Sequence, residues 1–290
     1  MPDRVLKPEP ETKGDIPTVP PRDLLEAMAR VDVYLPSGTE VSSVPAESRV
    51  VVYSDPNSAG ADRFRLAQIR LKSIQAARKL KTLLITSPLP GDGKSTVSLN
   101  LATALSENGE VPVALLEADV HRPTLLKRLG LKPWPGATEC YMRGDHPMMA
   151  MRKILPLGFY LLPVGKPLED GSSLFQSNFA SELITGLSLS RFSWVLIDSP
   201  PATPVADVLA LKAHADATLL VARAGKTPRE AIEESARNLG SDHIVGIILN
   251  GVEGLNRRYS KYYQYGRSEV GAKPTKRKTV TGLGLNERAK

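Results

Sequence analysis

Leu83 to Thr96 reads LLITSPLPGDGKST: an aliphatic, β-type run that breaks into a Pro/Gly turn and ends in Gly-Lys-Ser-Thr. The spacing predicts a strand, a phosphate-binding loop and the first turn of a helix. Glycines at 91 and 93 let backbone N–H groups approach phosphate oxygens, and the helix that follows turns its positive dipole end toward them. In such a loop Pro90, Gly91, Asp92, Gly93, Lys94, Ser95 and Thr96 line the anion, with Lys94 reaching the outer phosphates and Ser95 offering a hydroxyl to Mg²⁺. The strict pattern asks for glycine at position 88, where this chain has Pro88, so a chance loop stays open on this stretch alone.

Outward from the loop, apolar strand-like runs alternate with helix-like ones. The strands are expected at Thr82–Thr86, Val113–Leu116, Phe159–Leu162, Trp194–Ile197, Ala217–Val221 and Val245–Leu249. The helices are expected at Lys94–Glu107, Thr124–Leu129, Phe179–Leu187, Val205–Ala213 and Thr227–Leu239, with Gly109, Gly130 and Gly240 placed to end three of them. A further helix is expected at Ala61–Lys79, its apolar face made of Phe64, Ala67, Leu71 and Ile74. Near-continuously apolar strands are buried on both faces. The fold class is therefore α/β: a doubly wound, mainly parallel sheet flanked by helices, binding its ligand at the carboxyl ends of the strands.

Two of those strands run into acids. Val113–Leu116 leads to Glu117 and Asp119, and Trp194–Ile197 leads to Asp198. Parallel strands bring all three carboxylates to the rim that holds Lys94. A magnesium nucleotide needs one or two carboxylates together with phosphate oxygens and water. Each acid on its own could equally cap a helix N-terminus.

The 290 residues carry a net charge of +7, unevenly placed. From Asn256 to Lys290 ten Lys and Arg face Glu269 and Glu287, a charge of +8, so the 255 residues before them sum to −1. The expected organisation is a Pro-rich leader and linker over 1–58 with one short amphipathic segment at Asp23–Arg30, a P-loop domain over 59–255, and a basic flexible tail over 256–290. Half of the eight tyrosines, Tyr259, Tyr262, Tyr263 and Tyr265, fall in RRYSKYYQY, without the apolar partners of a core stripe. Phosphorylation there would offset the positive charge of the tail. The single cysteine, Cys140, has no internal disulfide partner and reads as a small buried side chain. The first residues lack a signal-peptide core and no apolar run is long enough to span a bilayer, which leads to the expectation of a water-soluble protein.

The set PGDGKST, LLEADVHRP and WVLIDSPP, in this order, resembles the bacterial protein-tyrosine kinases of exopolysaccharide and capsule synthesis, within the ParA/MinD class of P-loop ATPases. The resemblance covers about Asp62 to Tyr265. It implies an ATP- and Mg²⁺-dependent autokinase: Lys94, Asp119, Asp198, Glu117 and Arg122 act in catalysis, and Ser95, Asp119 and Asp198 hold the metal. It further implies that Glu117 takes the tyrosine proton, that Asn250 reads the adenine edge, and that the four tail tyrosines are phosphorylated in trans. Asn250 alone is equally a turn residue before Gly251. Implied partners are further copies of the chain and a membrane-embedded regulator of polysaccharide chain length, at the inner face of the cell membrane; nucleic acid is not expected. Leu89 stands where partition and cell-division ATPases carry a lysine, a loss typical of the kinases. Two departures from the kinases are visible: Glu117 where they have aspartate, and Gln68 where an oligomerisation helix (Asp62, Arg65, Gln68) has arginine. An ATPase switch and a weakly active regulatory scaffold are the alternatives.

Overall fold

The computed structural model describes residues 36–166, 174, 178–203 and 206–252. Asp23–Arg30 and the tyrosine-rich tail lie outside them. One eight-stranded sheet organises the described residues: β1 (Thr39–Val41), β2 (Thr82–Thr86), β3 (Val113–Glu117), β4 (Arg152–Leu155), β5 (Tyr160–Leu162), β6 (Trp194–Asp198), β7 (Ala217–Arg223) and β8 (Ile244–Asn250). Its order is β1-β4-β5-β3-β6-β2-β7-β8, and every pairing is parallel except β4 with β5. The helices are α1 (Val51–Ser54), α2 (Ala59–Arg78), α3 (Lys94–Ser106), α4 (Leu125–Arg128), α5 (Ala137–Arg143), α6 (Asn178–Leu189), α7 (Ala206–Lys212) and α8 (Arg229–Leu239). This is the doubly wound sheet expected from the alternating pattern.

Successive residues of a strand point to opposite faces, so each apolar strand feeds two cores. Leu83 and Ile85 of β2, with Val113 and Leu115 of β3, pack against Val97, Leu101 and Leu105 of α3. Leu84, Leu116 and Ile197 point the other way, toward Phe179, Leu183 and Leu187 of α6 and Leu211 of α7. Helix α3 is buried over nearly its whole length. Its polar side chains are therefore all obliged to find partners. The hydroxyls of Thr103 and Ser106 donate to Leu99 and Leu157 carbonyls, and Asn100 reaches a different segment altogether.

That segment corrects the expected domain boundary. The stretch before residue 59 is not all leader and linker: β1 joins the sheet edge beside β4, and Val44 and Val50 lie in the core. The Asn100 amide donates to the Arg49 carbonyl at 2.8 Å and accepts from the Val52 N–H at 3.2 Å. The β-branched run Val50–Val52 thus enters a helical turn pinned to α3. The lone cysteine, Cys140, is buried as expected, and burial pushes its thiol up to about 11. No helix among the described residues is long and apolar enough to cross a membrane.

Replacing the fully buried Val50 by alanine should cost about 2 kcal/mol of unfolding free energy in urea titrations. A solvated linker would give no change.

Candidate active site

β6 lies between β3 and β2, with Asp198 in register with Glu117 on one side and Ile85 on the other. The loop that follows β2 and the acids that follow β3 and β6 therefore meet at one rim. Gly91 and Gly93 both adopt positive φ, +86° and +102°, a region open to glycine. At Gly93 space adds a second constraint: a Cβ would stand 1.9 Å from the Asn250 amide nitrogen.

The loop is braced from the ends of two strands, β7 and β8. Asp92 is buried; one carboxylate oxygen accepts from the Leu89 N–H at 3.0 Å, and the other accepts from the Thr227 hydroxyl at 2.7 Å. Asn250 donates its amide to the Asp92 carbonyl at 2.9 Å, and Arg223 donates to the Gly91 carbonyl at 3.2 Å. The Asn250 amide is thus engaged with the loop itself.

Lys94 Nζ lies 2.8 Å from Asp119 Oδ2. Asp119 Oδ1 accepts the Arg122 N–H at 3.1 Å, while Arg122 itself is exposed at the rim. Asp198 is buried and accepts from the Ser98 hydroxyl at 3.0 Å and from Ser95. Burial holds its carboxyl above the usual carboxylate range, although the Lys94 charge and the two serines work against the rise. Ser98, one helical turn beyond Lys94, was missed in the sequence; its signal is a serine on the buried face of a helix at a strand-end acid. The hard oxygen donors of Ser95 and Asp198, side by side at the loop, fit Mg²⁺.

Glu117 is placed differently. Its Oε1 accepts the N–H groups of Thr124 and Leu125 at 2.6 and 2.7 Å, and its Oε2 accepts the Val164 N–H at 3.3 Å. It caps α4, with burial as the main cause holding its carboxyl above the usual range. Three backbone donors leave this carboxylate turned toward the protein, which speaks for the helix-capping reading over proton acceptance from a tyrosine. On α2, Arg65 pairs with Asp62 at 2.7 Å, and Gln68 donates to Glu107 at 3.1 Å.

The family model of the ParA type, described as NUBPL iron-transfer P-loop NTPase, matches residues 79–250, more than half of the chain. The chain belongs to the ParA family of P-loop NTPases. Among its relatives is the tyrosine-protein kinase YwqD of Bacillus subtilis, 27% identical over 76% of this chain and 91% of that protein. Another is the succinoglycan biosynthesis transport protein ExoP of Rhizobium meliloti, 28% identical over 74% of this chain. The match spans only 30% of ExoP. The kinase domain of the Escherichia coli tyrosine kinase ETK shares the fold, with a TM-score of 0.66 over 70% of this chain and 80% of that domain at 23% identity. Against these relatives the rim residues of this P-loop NTPase stand at the carboxyl ends of β2, β3 and β6, where the doubly wound fold puts its ligand.

Because Asp198 binds its proton more tightly folded than unfolded, stability of the nucleotide-free protein falls as pH rises from the ordinary carboxylate range through the raised value. Asp198→Asn should therefore raise Tm at neutral pH and flatten the pH dependence above the ordinary carboxylate range, measured by calorimetry.

Proposed function

We propose that this chain is an ATP- and Mg²⁺-dependent protein-tyrosine autokinase of exopolysaccharide or capsule synthesis. It phosphorylates Tyr259, Tyr262, Tyr263 and Tyr265 on a neighbouring copy and so regulates polymerisation and export. The observation that carries this reading is the Lys94–Asp119 pair beside buried Asp198 at a P-loop, in a chain whose relatives include proteins named as tyrosine kinases. The lack of a lysine at Leu89 favours it over an ATPase switch that uses such a residue across a dimer.

The loop amides and the α3 N-terminus hold the β- and γ-phosphates, and Lys94 exchanges Asp119 for phosphate oxygens as ATP enters. Ser95 and Asp198 would hold Mg²⁺, which would supply neutralisation of the phosphate charge. The tyrosine oxygen attacks the γ-phosphorus and the bond to the β,γ-bridging oxygen breaks, so ADP leaves with that electron pair. The tyrosine proton passes to Asp119, whose Oδ2 is released when Lys94 turns away. Glu117 fixes α4 from below, Arg122 steadies the incoming chain at the rim, and Asn250 braces Gly93 beside the adenine. The chain-length regulator is a membrane-embedded partner at the cytoplasmic face. ExoP, being over three times the length matched here, supports such an additional segment.

Incubation with ATP and Mg²⁺ followed by intact-mass measurement tests this. Wild type should gain several phosphates that map beyond residue 258, and Lys94→Met should label at least about 100-fold more slowly. Equal labelling of both proteins would remove Lys94 from the chemistry.

A further inference from the structure

Arg128 belongs to none of the motifs at the rim, yet it touches the loop. Its guanidinium donates through Nη1 to Thr96 Oγ1 at 3.1 Å and through Nε to Thr124 Oγ1 at 3.3 Å. It is half-buried, and among the described residues no carboxylate lies within ion-pairing distance of it. A partly desolvated guanidinium bonded to two neutral hydroxyls is an under-neutralised cation, and oxyanions that can meet its planar fork with two oxygens, such as phosphate, are its best partners.

The bond to Thr96 has a direction. A hydroxyl has one proton and two lone pairs; when a guanidinium occupies a lone pair, the proton turns elsewhere. Thr103 of the same helix spends its proton on the carbonyl one turn back. The matching carbonyl for Thr96 is that of Asp92, which accepts from Asn250, and among the described residues no hydrogen bond joins the Thr96 hydroxyl to it. Thr96 sits beside Lys94 and Ser95 in the first turn of α3, where free N–H groups face the loop.

The placement of Arg128 is itself held. Helix α4 is only four residues long, too short to persist without a cap. Glu117 supplies that cap through the Thr124 and Leu125 N–H groups. The extra methylene of glutamate over aspartate gives the strand-end acid its reach to α4, and α4 carries Arg128 to Thr96.

We propose that Arg128 is a positioning residue for the bound nucleotide, acting through Thr96 to orient a hydroxyl proton and add positive charge at a phosphate of the loop. This rests on the reading of the loop as a nucleotide site. Glu117 serves the same end by fixing α4.

Titration calorimetry of the full chain with ADP and Mg²⁺ tests it, using Arg128→Met, Arg128→Lys, Thr96→Val and the double variant Arg128→Met/Thr96→Val. Loss of a charge-assisted bond should weaken ADP about tenfold in Arg128→Met, with Arg128→Lys within about threefold of wild type. Thr96→Val should lose a similar factor, and the double variant little more than either alone. In steady-state labelling Arg128→Met should raise KM for ATP while kcat stays within about twofold; a merely structural defect would lower kcat and the melting temperature too. ADP affinity unchanged in Arg128→Met, or factors that multiply in the double variant, would overturn the proposal. If Arg128→Met does not fold, Thr96→Val with wild-type affinity overturns it equally. Wild type that binds no ADP would instead remove the nucleotide reading of the loop, and this role with it.

Discussion

The rim depends on one cation. Lys94 stands 2.8 Å from Asp119 and close enough to Asp198 to stabilise its charge, and both acids are almost wholly buried. Buried carboxylates are costly unless paired, and two of them share one ammonium here. Such an arrangement is a poor way to stabilise a fold. It becomes favourable when a metal ion joins Asp198 and phosphate oxygens draw Lys94 away, because each charge then meets a partner of its own. Buried acids gathered around one cation mark a functional site rather than a stabilising one.

The fold supports this rim by burying the helix that carries Lys94. With α3 enclosed by the sheet on one side and by α2, α4 and the 44–52 segment on the other, its N-terminus is fixed in direction. The loop before it gains rigidity from outside: Thr227 and Asn250, from beyond β7 and at the end of β8, hold Asp92. Gly93 is squeezed between a left-handed backbone and the Asn250 amide. A brace of this kind presents the amide donors ready-made, which is how electrostatic preorganisation lowers reorganisation costs.

Much of this was legible in the sequence. The six apolar runs became six strands of the sheet, and the loop and the rim acids emerged from local patterns that a single strand–turn–helix unit dictates. What escaped the sequence depends on long-range partners. β1 is a three-residue edge strand and β4 the four-residue strand beside it, neither with an apolar pattern of its own, and the β-branched run Val50–Val52 is held in a helical turn by Asn100, 48 residues away from Val52. Glu117 is visible in the sequence as a strand-end acid, whereas its three backbone donors are set by the folding of α4 and of the segment after β5. Ser98 and Arg128 carry no motif and are found only once α3 and α4 are placed.

The family holds enzymes that give the phosphoryl group to water and relatives named for giving it to tyrosine. The rim described here serves either acceptor as far as phosphate binding goes, and the difference lies in what reaches the γ-phosphorus. A single-turnover experiment with γ-labelled ATP, in excess protein with Mg²⁺, separates them by the ratio of protein-bound phosphotyrosine to free inorganic phosphate. Label should accumulate mainly as phosphotyrosine. Label released entirely as inorganic phosphate, with the protein unmodified, would contradict kinase chemistry and leave an ATPase.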